Sequence, residues 1–130
     1  MPKVSPPEWM PNAVYGGHAF GYKAEGRSRA GEFALALENR DKILPWIKEY
    51  SPIELVSKGD PPVYLDYPRQ DRPPVAGEKQ TDPTHSAVYG VKLAERCEQA
   101  GVEAVVAYPG ASKSKYASAT AFLIARLKGE

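Results

Sequence analysis

The sequence has few of the residues with which small proteins cross-link themselves. A single cysteine, Cys97, among 130 residues rules out an internal disulfide, and with only His18 and His85 beside it no metal-ligand cluster is spelled out. Neither sign of charge dominates. Seventeen Lys and Arg against sixteen Asp and Glu leave a formal charge of +1, and no basic block is long enough to make the electrostatic stripe of a nucleic-acid binder. Long apolar runs are missing too. No stretch of about 18 apolar residues occurs, and Pro2, Pro6, Pro7 and Pro11 leave no room for an apolar h-region at the N-terminus. The chain is expected to bind neither nucleic acid nor membrane, to carry no export signal of its own, and to leave its compartment unknown.

What is present is globular in character. The chain is 42% hydrophobic and 25% charged, the ordinary range for a folded domain. A chain of this size buries roughly two-thirds of its unfolded surface. That margin is thin, so any core contributed by other residues would matter.

The pattern divides near residue 28. Residues 1–28 hold Pro-rich and Gly-rich stretches with Trp9, Tyr15, Phe20 and Tyr22 between them and no lasting period, which predicts an irregular segment packed through its aromatics. Residues 29–130 read as one α/β region. Phe33, Leu37 and Leu44 are spaced for one face of a helix over 29–50, with Ser28 as its cap. Pro45 should kink or divide that helix and sit in the first turn of its second part, and Ser51-Pro52 should stop it. Val63-Tyr64-Leu65-Asp66-Tyr67, bounded by prolines, reads as a strand, and the charged, Pro-rich residues 68–81 as a loop. Asp82-Pro83-Thr84 should open the next helix, with an apolar stripe at Val91, Ala94 and Cys97 and a stop at Gly101. Valine-rich residues 102–108 read as a strand buried on both faces, ended by Pro109-Gly110. A last helix over 118–128, capped by Ser118, should turn Phe122, Ala125 and Leu127 to a core.

The order helix, strand, helix, strand, helix predicts an α/β fold with a parallel crossover. Two strands alone make an incomplete sheet with hydrogen-bonding groups left at both edges. Further strands are therefore expected on an N-terminal segment or on a second chain.

Pro61-Pro62-Val63-Tyr64-Leu65-Asp66-Tyr67, the later Asp82-Pro83, the helix running to Gly101, and Val102-Glu103-Ala104-Val105-Val106-Ala107-Tyr108-Pro109-Gly110 together resemble the C-terminal part of an α/β-hydrolase fold. The likeness is to esterase/lipase-like members related to feruloyl esterases and prolyl oligopeptidases. There a strand reading roughly P-P-V-L-L-I-H-G leads to a D-P loop, a helix ending A-G-V, a strand ending Y-P-G and a terminal helix. Tyr50-Ser51-Pro52 and Lys58-Gly59-Asp60 look like the approach to that first strand. The resemblance covers residues 50–128 best, and it is the order and spacing of the pieces that make it specific.

The resemblance implies a serine hydrolase of carboxylic esters or related acyl compounds, working through an acyl-enzyme without metal or organic cofactor. It places the catalytic acid at Asp82, whose task would be to orient a histidine that deprotonates a serine on a G-x-S-x-G elbow. The sequence departs from the pattern twice. It contains no such elbow, and where the family has its histidine, after the Y-P-G strand, it reads Lys115-Tyr116-Ala117. The loop 68–81 is also longer than the usual H-G-D-x-D-P connection. The chain is thus expected to be a C-terminal fragment lacking its nucleophile, partnered by an N-terminal hydrolase segment; alternatively it is a non-catalytic remnant or interaction module that docks, or forms a homo-oligomer, across an open sheet edge.

Each candidate residue also has a plainer reading. Aspartate before proline is a good helix cap, worth about 1 kcal/mol without any catalysis. His85, three residues on, can serve as a displaced base beside Asp82 or be a surface residue of a first helical turn. His18, behind Gly16-Gly17, can face a bound substrate or be a loop histidine packed by aromatics. Gly110-Ala111-Ser112-Lys113-Ser114 imitates the elbow but ends in serine, and Ser112-Lys113 lacks the S-x-x-K spacing, so it reads as a turn with weak capacity for anions. Cys97, on the apolar stripe, reads as a small core residue.

Overall fold

In the computed structural model, which describes residues 21–27 and 29–129, the chain is mixed α/β. Ser28, the expected cap, and His18 lie outside the described residues, as does most of the irregular segment. The chain divides into two compact units, Met1–Leu55 and Val56–Glu130.

In the first unit the segment expected to be kinked or divided is divided, into α1 (Arg29–Glu38) and α2 (Arg40–Tyr50). The break falls at Asn39, and Pro45 lies inside α2 rather than in its first turn. A proline ring crowds the carbonyl four residues earlier and donates nothing to it, so the disturbance belongs upstream. Asn39 absorbs it, since its amide side chain bonds back to the Leu35 carbonyl at 2.9 Å while its own carbonyl accepts from Lys42 and Ile43. Burial is also redistributed. Ala36 and Ile43 are buried, whereas Leu37 is exposed. Ser51 is extended and ends α2 as expected, and Pro52 then begins a single further turn, α3 (Pro52–Leu55).

The second unit is a parallel β–α–β arrangement with a terminal helix. Strands β1 (Val63–Asp66) and β2 (Ala104–Ala107) pair in parallel, Tyr64 beside Val105 and Leu65 beside Val106, and form a two-stranded sheet among the described residues. Parallel strands cannot be joined by a tight turn. Here the crossover is a long loop followed by helix α4 (Ala87–Ala100).

That helix starts one turn later than the sequence suggested. Asp82 caps only a 3₁₀ turn over Pro83–His85, and Ser86, extended, caps α4 through its hydroxyl to the Val88 N–H. Its end follows the sequence. Gly101 is left-handed (φ 73°), and the Gly101 and Val102 N–H groups bond back to Glu98 and Cys97 carbonyls, the Schellman geometry that glycine permits at least cost. The buried face of α4 runs through Ala87, Gly90 and Cys97; Val91 sits at its margin.

Gly90 is where α4 meets β1's exit. A Cβ there would lie 2.5 Å from a Tyr67 ring carbon, so the absence of a side chain is what lets the ring pack. Burial holds the Tyr67 phenol above its ordinary pKa, partly offset by a hydrogen bond from the Gly90 backbone.

Helix α5 (Ala119–Lys128) is capped by Ser118, whose hydroxyl accepts from the Ala121 N–H, and it ends at left-handed Gly129. Phe122 is buried against Tyr64 and Tyr116, with ring centroids 5.5 and 5.1 Å away. Leu127, expected in the core, is 88% exposed. The expectation that β2 is buried on both faces is also corrected: Val105 is buried, while Val106 is half-buried and lines an open hollow.

Replacing Gly90 with alanine sets about 1 kcal/mol of helix propensity against roughly 1–3 kcal/mol of overpacking. The expected result is a lower melting temperature for Gly90→Ala in wild type and a neutral or raised one in a Tyr67→Ala background. Thermal unfolding followed by circular dichroism reads both.

Candidate functional site

The long loop between β1 and α4 contains the Asp82–His85 pair. Its shape is set by two glutamines that the sequence did not single out. Gln70 and Gln80 are buried with Ser86. The Gln70 amide donates to Gln80 Oε1 and to the Arg72 carbonyl, both at 2.7 Å, and its Oε1 accepts the Ala87 N–H at 2.8 Å. Ser86 Oγ donates to the same Gln80 oxygen at 3.2 Å. Buried amides without partners are costly, and a satisfied network specifies one arrangement. Gln70 therefore ties the start of the loop to the first N–H of α4, and the stretch between is held in place. In sequence both glutamines sit in a polar, Pro-rich run, which carries no burial signal.

At the end of that loop His85 Nδ1 lies 2.8 Å from Asp82 Oδ2, and the His85 backbone N–H reaches Asp82 Oδ1 at 3.4 Å. Both side chains are largely exposed, 78% for His85 and 53% for Asp82. The hydrogen bond from the His85 side chain is the main cause that holds the Asp82 carboxyl below its ordinary pKa, with smaller help from the His85 backbone N–H, the imidazole charge and the Thr84 backbone; desolvation opposes them. The carboxylate meets the imidazole at Nδ1, the contact by which an acid orients a histidine in a triad. It is equally a helix-turn cap with an i,i+3 contact.

The position where the resemblance expects a histidine is built for something else. Glu103, just before β2, pairs with Arg126 of α5, with Lys115 at 3.3 Å, and accepts from the Tyr116 hydroxyl at 3.1 Å. The Arg126 guanidinium lies over the Tyr116 and Phe122 rings, 5.8 Å from each centroid. Glu103, Arg126 and Tyr116 are half-buried, and they lock the last helix to the last strand. Lys115 and Tyr116 therefore serve that lock.

Two hollows flank the outer edge of β2. One, of about 530 Å³, lies toward α4 and is lined by Val91, Ala94, Glu98 and Val106; the other, about 330 Å³, lies toward Tyr64, Lys113 and Tyr116. They meet at Val106, Tyr108, Ala111 and Ser112. Ser112 follows the Tyr108–Ala111 turn at the sheet edge; the larger hollow also holds Glu95, Glu98 and Glu103, and neither lining includes a histidine. Cys97 is buried, as its stripe suggested. Among the described residues no group of His, Cys, Asp and Glu is arranged to hold a metal ion, and no helix is long and apolar enough to cross a membrane. No family model, no curated protein and no solved structure matches the chain.

Two outcomes test this description. Gln70→Ala strands the buried Ala87 N–H and part of Gln80, and unfolding in urea should show a loss of about 1–3 kcal/mol. For Asp82 the sign follows from its lowered pKa. The contact stabilises the folded chain above the ordinary carboxylate value and is lost as pH falls through the depressed one. Carboxyl-carbon NMR should show Asp82 titrating below exposed aspartates in the wild type and moving upward in His85→Ala.

Proposed function

We propose that this chain is the C-terminal portion of a serine esterase-like α/β hydrolase, with Asp82 in the position of the catalytic acid and the G-x-S-x-G nucleophile carried on a separate N-terminal segment. One observation carries the reading. Asp82 sits in the loop that leaves the first of two parallel strands, ahead of the crossover helix, second strand and terminal helix, and its carboxylate already holds an imidazole by Nδ1. Residue types, order and that contact all agree with the acid position of the resembled family.

In this reading His85, and not a residue after β2, supplies the base. Serine Oγ would attack the acyl carbon of an ester while His85 Nε2 takes the hydroxyl proton, and Asp82 would stabilise the resulting imidazolium. The alcohol leaves with that proton. Water then repeats the sequence on the acyl-serine and regenerates the hydroxyl. The exposure of His85 leaves the imidazole open to a segment that closes over it.

The test begins with the coding DNA upstream of the Met1 codon, read in all three frames for a strand–helix pattern with G-x-S-x-G. Co-expressed with that segment, the chain should hydrolyse p-nitrophenyl acetate, and Asp82→Asn and His85→Ala should each lower kcat by roughly 10²–10⁴-fold. Absence of such a segment in every frame, or turnover untouched by both substitutions, sinks the proposal.

A further inference from the structure

We propose that Gln80 and Ser86 are positioning residues for the Asp82–His85 pair: the hydrogen bond between their buried side chains closes the turn that carries the pair and keeps the His85 ring in one tautomer, with its proton on Nδ1. The inference deepens the hydrolase reading and rests on it only for the use made of that tautomer. It starts from the carboxylate. An ionised aspartate can only accept, so the ring nitrogen 2.8 Å from Asp82 Oδ2 has to be the donor. In the neutral ring the lone pair is then on Nε2, the nitrogen at which a base in a triad receives its proton.

The pair does not hold itself. Both side chains are largely exposed, and among the described residues their hydrogen bonds stay within residues 82–85. An exposed pair gains little alone, because water competes for both groups and ordering two side chains costs entropy. The backbone that spaces them has to be fixed from outside.

Gln80 and Ser86 bracket that backbone. Two residues before Asp82 and one after His85, they are 7% and 3% exposed. Ser86 Oγ donates to Gln80 Oε1 at 3.2 Å across the turn. Each end is anchored further: Gln70 donates to the same Gln80 oxygen at 2.7 Å, and Ser86 Oγ accepts the Val88 N–H at 3.2 Å. A buried bond of this kind is costly to open, since the groups it frees are left without water. Closing the turn therefore does not fall to the exposed pair, and only its two side chains remain to be ordered.

Nitrogen NMR of the histidine-labelled full chain reads the tautomer and needs no turnover, so its outcome is separate from that of the hydrolase reading. The sequence has two histidines, and a His18→Gln variant assigns their rings. Above the pH at which the imidazole loses its charge, His85 in the wild type should show a protonated Nδ1 and an unprotonated Nε2. Ser86→Ala removes the tie and should give a mixture of tautomers, with the Asp82 titration moving up toward that of exposed aspartates. Ser86→Thr keeps the hydroxyl and should preserve both signatures. Should Ser86→Ala not fold, Gln80→Met, which removes the acceptor at similar volume, supplies the same comparison. A wild-type ring with its proton on Nε2, or divided between the two nitrogens, overturns the proposal. So does a folded Ser86→Ala or Gln80→Met chain in which the tautomer and the Asp82 titration are unchanged.

Discussion

Parallel pairing of β1 and β2 is the constraint from which the second unit follows. Two parallel strands must be joined by a crossover that travels back along the sheet, and every feature between Tyr67 and Glu103 serves that return. The Gln70–Gln80–Ser86 network turns the chain, Ser86 starts α4, the missing side chain at Gly90 admits Tyr67, and the Gly101 turn redirects the backbone into β2. Glu103, at the entrance to β2, pairs with Arg126 and binds the terminal helix to the strand that the crossover placed. Asp82 and His85 occur on the outside of this path, where the loop meets the helix, and the crossover fixes their position without burying them.

Much of this was legible because it rests on local chemistry. Gly101 after an apolar stripe, Ser118 before Phe122, and prolines around Val63–Asp66 each state a local conformational preference, and each led to the right element. What the sequence misplaced depends on competition between neighbours. Asp82-Pro83 is a sound cap and does cap a turn, but Ser86 follows with an equally good hydroxyl, and the buried Gln70 contact to the Ala87 N–H favours the later start. Pro45 announced a break correctly; Asn39, able to bond back to Leu35, determined where it fell.

The buried polar residues were the least visible. Gln70 and Gln80, which are buried, and Glu103, which is half-buried, have no periodic signature, since their surroundings depend on partners such as Gln80 for Gln70 and Arg126 for Glu103 that lie far along the chain. The Glu103–Arg126–Tyr116 lock bears directly on function. It occupies the stretch where the resembled family keeps its histidine, and its half-buried charges are costly to separate, because removing one partner leaves the other in a low-dielectric site. A histidine placed at Lys115 or Tyr116 would disturb that lock. In the hydrolase reading proposed above, the histidine beside Asp82 is His85, which is already in contact with it.

The terminal helix shows why the sequence overstated burial. Leu127 was expected in the core with Phe122 and Ala125, yet it is exposed beside a buried Phe122, as are Leu123 and Ile124. A helix with apolar residues on two faces is written for contacts on both. Within the described residues α5 packs on β1 through Phe122 while Leu123, Ile124 and Leu127 stay exposed, and β2 pairs with β1 along one edge. The two surfaces differ in kind: the helix face offers area without direction, whereas the strand edge offers backbone donors and acceptors at fixed spacing. Direction is what gives a strand edge a register, and apolar area alone gives none.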